Sequence, residues 1–120
     1  MSEAKILLVD DESDVLEGLI DYLGSKGFDV DTATSGEMAL DAVKTDPPDL
    51  VILDVRMPGM DGIEVCRRLR KLSPSTRIIF LSALQQDVDK AKGLMIGGDD
   101  YIAKPFSTLE LLARVKAVLR

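Results

Sequence analysis

The chain has 120 residues, 46% of them hydrophobic and 30% charged, a make-up that suits one compact soluble domain and excludes both a disordered segment and a pair of domains. A formal net charge of -6 makes it a poor partner for phosphate backbones, so direct nucleic-acid binding is not expected. One cysteine and no histidine exclude an internal disulfide framework, a Cys-rich zinc site, and Ser-His-Asp or Cys-His catalysis, which leaves chemistry to carboxylates, lysines, hydroxyls and backbone.

Met1-Ser2-Glu3-Ala4-Lys5 lacks the apolar stretch of a signal peptide, and no run approaches the length of a membrane span. A cytoplasmic protein without a membrane partner is the expectation. Ile6-Leu7-Leu8-Val9 is a short apolar run ending in Asp10-Asp11, the pattern of a strand buried on both faces. From Ser13 to Lys26, Val15, Leu16, Leu19, Ile20 and Leu23 recur at helical spacing, and Gly27 is a natural stop. Phe28 to Ala33 alternates as a second strand. Ser35 is placed to cap a helix carrying Met38, Ala39, Leu40 and Val43, which Pro47-Pro48 ends.

Leu50-Val51-Ile52-Leu53 is the third strand and ends at Asp54. Met57-Pro58-Gly59-Met60 forms a loop, and Asp61 caps a helix with Ile63, Val65, Cys66, Leu69 and Leu72 inward or partly inward. Arg77-Ile78-Ile79-Phe80-Leu81 is the fourth strand, ending at Ser82. A helix from about Gln86 to Ile96 follows and stops at Gly97-Gly98. Asp100 to Ala103 is a short fifth strand before Lys104-Pro105, and the last helix runs from about Thr108 to Leu119. Five strands alternating with five helices over short connections predict an α/β domain across residues 1–120. Its sheet is parallel and doubly wound, in the order 2-1-3-4-5.

In such sheets a site forms beyond the carboxyl ends of the strands. Those positions hold Asp10, Asp11 and Glu12 after strand one, Asp54 after strand three, Ser82 and Ala83 after strand four, and Lys104 and Pro105 after strand five. The strand order gathers Asp10, Asp11 and Asp54. Clustered carboxylates repel one another unless a hard cation joins them, and Mg2+ fits because it takes one or two carboxylates plus water and phosphate oxygens. Asp54 is then a nucleophile able to form an acyl phosphate, with Lys104 and the Ser82 hydroxyl on the phosphoryl oxygens.

These residues resemble the receiver domain of two-component response regulators, a CheY-like, flavodoxin-like fold. The matching segments are Val9-Asp10-Asp11-Glu12, Leu53-Asp54-Val55-Arg56-Met57-Pro58-Gly59-Met60-Asp61-Gly62, Leu81-Ser82-Ala83 and Gly97-Gly98-Asp99-Asp100-Tyr101-Ile102-Ala103-Lys104-Pro105-Phe106. The resemblance implies a signalling switch rather than an enzyme, one that takes part in its own phosphoryl transfer and autodephosphorylation. A sensor histidine kinase or histidine phosphotransfer protein would phosphorylate Asp54. It implies that Asp10, Asp11, Asp54 and the backbone carbonyl of Arg56 hold Mg2+, with Mn2+ able to substitute and Asp11 the favoured direct ligand among the acidic pair. It also implies a cis bond between Lys104 and Pro105. Ser82 and Tyr101 would be the switch pair that repacks on phosphorylation. Ser82 stands where the family more often has Thr, and Gly98 where Ala is usual. Arg56 and Leu84 match positions that tune water access, and the bulk of Leu84 is expected to slow hydrolysis. The C-terminal third resembles the OmpR/PhoB-like branch, which implies a homodimer on phosphorylation. Its face would lie on the helix predicted near 86–96, the fifth strand and the last helix, with Lys90, Asp99, Asp100, Glu110 and Arg114.

Plainer readings stand beside these. Asp11 or Glu12 alone would serve as a helix cap and Asp54 as a turn cap. Tyr101 would be packing, Cys66 core, and the charged dimer set a solvated surface. Three rival functions would leave different residues at these positions. A phosphatase resembling haloacid dehalogenases would carry a second Asp two residues after the nucleophile, where Arg56 stands. A flavodoxin-like nucleotide binder would want glycines and hydroxyls after strand one, and Asp10-Asp11-Glu12 would repel its phosphate. A degenerate receiver serving only as a binding module would have lost one of the site residues, and none is lost.

Overall fold

The computed structural model describes residues 3–82 and 96–120. Within them the chain runs β1 (Lys5–Val9), α1 (Ser13–Ser25), β2 (Asp29–Ala33), α2 (Gly36–Thr45), β3 (Leu50–Asp54), α3 (Gly62–Leu72), β4 (Arg77–Ser82), β5 (Asp100–Ala103) and α4 (Thr108–Leu119). The strands form one sheet, every pair parallel, in the order β2-β1-β3-β4-β5. β3 is central and buried along its whole length, as an unbroken apolar run in a two-faced sheet should be. β2 lies at an edge, with Asp29 and Asp31 outward. Charge at an edge strand discourages pairing with a further chain.

Alternate strand residues feed two cores, because successive side chains point to opposite faces. On one face Leu7, Val9, Val51, Leu53, Ile78 and Phe80 pack with Ala39 and Val43 of α2 and with Val65, Cys66 and Leu69 of α3. On the other, Ile6, Leu8, Leu50, Ile52, Ile79 and Leu81 pack with Leu16, Leu19 and Leu23 of α1 and with Leu111 and Val115 of α4. Cys66 is buried, and burial pushes its thiol pKa up to about 11, so it behaves as core. The helix predicted near 86–96 lies outside the described residues except for Ile96, which packs against the first core. Among the described residues no helix is long and apolar enough to cross a membrane.

Local chemistry explains the boundaries. Ser35 accepts a bond from the Met38 N–H at 3.2 Å and Asp61 one from the Glu64 N–H at 2.9 Å, so both predicted caps form. Gly27 turns α1 off with a left-handed φ of 93°. The Phe28 N–H returns to the Leu23 carbonyl, so it finishes the helix, and β2 starts one residue later than Phe28. Leu72, expected to be inward or partly inward, is exposed instead: it is the last residue of α3 and a turn follows it.

Candidate functional site

The register places Val9 beside Leu53, Asp54 beside Leu81, and Ser82 beside Ala103. The strands therefore end level, and the next polar residues meet at one edge. The crevice opens there because α1 leaves β1 toward one face of the sheet while α3 leaves β3 toward the other. Asp10, Asp11 and Asp54 bring carboxylate oxygens within 4.8 Å of one another. Asp10 and Asp54 are buried, at 2% and 5% exposure, while Asp11 is open to solvent.

Each buried carboxylate is aimed by its own backbone. Asp10 Oδ1 accepts from the Glu12 N–H at 2.9 Å, and Asp54 Oδ1 accepts from the Arg56 N–H at 3.1 Å. Glu12, the N-cap residue of α1, makes no capping bond with its side chain. Lys104 reaches both carboxylates, its Nζ 3.1 Å from Asp10 and 3.6 Å from Asp54. The Lys104 N–H donates to the Ser82 carbonyl at 2.8 Å, which ties the end of β5 to the end of β4. The Lys104–Pro105 peptide bond is cis. Ser82 is fully buried.

Burial raises the Asp54 pKa from 3.8 to about 6. The Arg56 N–H and Lys104 pull it down, and the Asp10 and Asp11 charges push it further up. Burial opposes the charged form of Lys104. The bond to Asp10 and the charges of Asp54, Asp10 and Glu12 outweigh that and hold its pKa above the usual value. Three carboxylates crowded together, two buried and one open to solvent, all present oxygen, the donor type a hard divalent cation takes, so these residues fit Mg2+.

Of the other predicted residues, Tyr101 is buried, its ring 6.3 Å from that of Phe80. Arg56 is exposed beside the crevice. Arg114 pairs with Asp100 at 3.1 Å and Glu110 at 3.4 Å within the chain. Asp99 accepts from the Ile78 N–H at 2.7 Å and pairs with Arg70 at 3.1 Å. Ala83, Leu84 and Lys90 lie outside the described residues.

Two residues given no role by sequence reading matter structurally. Arg70 donates to the Gly97 carbonyl at 2.7 and 3.0 Å, to the Pro74 carbonyl at 3.3 Å and to the Thr76 carbonyl. An arginine on a helix flank carries no mark of such a task. Gly62 packs against the backbone of Asp54, and its sequence signals are its place at the end of the segment that carries the resemblance and a glycine in the first turn of a helix, where most residues would serve.

The family model described as the response regulator receiver domain matches residues 6–116. The alkaline phosphatase synthesis transcriptional regulatory protein PhoP of Bacillus subtilis (strain 168) is 49% identical over 116 residues, which is 97% of this chain and 48% of that protein. The chain thus spans about half the length of that curated relative. Among solved structures, chemotaxis protein CheY4 of Vibrio cholerae matches with a TM-score of 0.92 at 30% identity, over 98% of this chain and 99% of that one. The BeF3-activated N-terminal receiver domain of Klebsiella pneumoniae RstA matches with a TM-score of 0.91 at 36% identity, over 97% and 98%.

Proposed function

This chain belongs to the response regulator receiver domain family of two-component systems, and from that premise we propose that Asp54 is the residue that accepts a phosphoryl group. The observation that carries this reading is the placement of Asp54. It is a buried carboxylate at the end of the central strand, with its oxygens within 4.8 Å of those of Asp10 and Asp11 and 3.6 Å from the Lys104 ammonium. Asp10, Asp11, Asp54 and the Arg56 carbonyl would hold Mg2+, or Mn2+ in its place. Bound there, the ion supplies charge neutralisation and oxygen ligation for an incoming phosphoryl group.

An Asp54 oxygen attacks phosphorus, forming the P–O bond of an acyl phosphate as the P–N bond of a phosphohistidine breaks. The bonding pair leaves with the imidazole nitrogen, which is then free to take up a proton. In this reading Lys104, 3.6 Å from Asp54, pairs with a phosphoryl oxygen, and the Ser82 hydroxyl donates to another. None of the 120 residues is a histidine, so the donor histidine lies outside them, on a sensor histidine kinase or a histidine phosphotransfer protein, or else a small phosphodonor serves. Ser82 and Tyr101 form the switch pair, and their repacking passes to the face of β5 and α4 and on to an output domain or partner. A homodimer on that face would exchange the internal pairs of Arg114 with Asp100 and Glu110 for pairs across the interface. The switch works in the cytoplasm and hydrolyses its own acyl phosphate, at a rate that Leu84 slows.

Incubation with acetyl phosphate and Mg2+ tests the acceptor role. The intact mass is expected to rise by one phosphoryl group in the wild type and to stay unchanged in Asp54→Asn. A wild type that gains no mass would return the chain to the reading of a binding module.

A further inference from the structure

Gly62 is the first residue of α3, and its φ is not in the left-handed region, so backbone freedom does not account for a glycine there. Space does. A Cβ on Gly62 would lie 2.1 Å from the Asp54 carbonyl oxygen, 2.8 Å from the Val55 Cα and 2.9 Å from the Asp54 carbonyl carbon. All three are main-chain atoms at the junction of the acceptor and the following loop, and no rotamer change clears them. Gly36 differs: its Cβ would meet side-chain atoms, Val65 Cγ2 at 2.7 Å and Met60 Cβ and Sδ at 3.1 and 3.2 Å, and no main-chain atom of the acceptor.

The same junction is tied twice more. The Gly62 N–H donates to the Val55 carbonyl at 2.9 Å, and the Arg56 N–H donates to Asp54 Oδ1 at 3.1 Å. A chain of contacts therefore runs from the Asp54 carboxylate through Arg56 and the Val55 carbonyl into the first turn of α3. That turn is itself held by the Asp61 cap on Glu64.

We propose that Gly62 is a positioning residue for the acceptor loop. Its missing side chain lets the start of α3 seat against the Asp54–Val55 peptide, which sets where the Asp54 carboxylate and the Arg56 carbonyl lie relative to Asp10, Asp11 and Lys104. The inference rests on the reading of Asp54 as the acceptor. Admitting a methyl group would force the start of α3 and the Asp54 carbonyl apart, from 2.1 Å to beyond 3.0 Å, a change of roughly 1 Å. A misplacement of about that size can cost a positioned reaction on the order of a hundredfold.

The test compares the wild type, Gly62→Ala and Leu23→Ala, each at a temperature where circular dichroism shows it folded. Mg2+ affinity is read by calorimetry and acetyl phosphate uptake by mass. Leu23 is fully buried at the far end of α1, where its carbonyl accepts from the Phe28 N–H, so its truncation destabilises the opposite edge of the sheet. Gly62→Ala is expected to weaken Mg2+ binding and slow uptake by about 10- to 100-fold. Leu23→Ala should lose thermal stability yet keep both within about twofold, since distant sites act independently. A Gly62→Ala protein that binds and reacts like the wild type overturns the inference, and so does a Leu23→Ala protein that loses as much. Should Gly62→Ala not fold, Asp61→Ala loosens the same turn, while Asp61→Asn keeps the cap but removes the charge. Weaker Mg2+ binding in Asp61→Ala, with near wild-type binding in Asp61→Asn, supports the inference, and equal binding in all three chains overturns it. A wild type that takes up no phosphoryl group removes the premise and the inference together, whereas a reactive wild type matched by Gly62→Ala removes the inference alone.

Discussion

At the amino-terminal edge of the sheet, Asp49 accepts from the Lys5 N–H at 2.7 Å, and Asp99 accepts from the Ile78 N–H at 2.7 Å while pairing with Arg70. At the carboxyl-terminal edge, Asp10 and Asp54 are buried as deeply as core leucines, stand close to Asp11, and share the single ammonium of Lys104. The first edge uses carboxylates to satisfy backbone donors and a matching cation. The second crowds negative charge where water is scarce, and the raised pKa of Asp54 is the result. Folding alone gives no reason to hold charge this way, and such groups concentrate where chemistry is done. The contrast implies that removing charge should harm one edge and relieve the other.

The largest change in stability is expected at the settled edge. Arg70 joins α3 to the segment before β5 through the Gly97 carbonyl and the Asp99 carboxylate, and to the turn before β4 through the carbonyls of Pro74 and Thr76. Arg70→Ala leaves those acceptors without their charged donor and should cost about 3 kcal/mol in urea unfolding. Acetyl phosphate uptake by the folded fraction should persist. Loss of uptake with little loss of stability would break the comparison.

At the crowded edge the sign reverses. In EDTA the folded chain holds the Asp54 proton up to about pH 6, whereas an unfolded Asp releases it near 3.8. Both states are protonated at lower pH, so the penalty is absent there. It grows as pH rises from about 4 to about 6 and is constant above that. Asp54→Asn should therefore raise stability by about 2 to 3 kcal/mol near neutral pH and give no gain near pH 4. Thermal melts across pH measure it, and a loss at neutral pH would contradict the account. A smaller effect sharpens the same point: Mg2+ at about ten times its Kd should stabilise the wild type by about 1.4 kcal/mol. Asp11→Ala should reduce that gain, and an equal gain in both would place the ion elsewhere.

The crowded edge was the more legible one. Strands buried on both faces are written as apolar runs, so Asp10, Asp54, Ser82 and Lys104 stand out where those runs stop. Ser35 and Asp61 announce their helices because capping is local chemistry. The settled edge depends on distant pairs. Arg70 bonds to a carbonyl 27 residues away, and Asp99 bonds to the start of β4 and to Arg70. Gly62 closes a matching segment, yet its task is not legible there, because a close approach between two backbones leaves no trace beyond the glycine itself. Helical periodicity carried Leu72 too far inward, since periodicity does not record where the sheet beneath a helix ends.

The central claim is that the phosphoryl group sits on Asp54, and reductive trapping tests it most directly. After acetyl phosphate and Mg2+, borohydride cleaves an acyl phosphate and leaves the side chain as an alcohol. Peptide mass spectrometry should then find homoserine at position 54 and unchanged aspartate at positions 10 and 11. Homoserine at another aspartate, or none in a chain that has gained phosphoryl mass, would contradict the account.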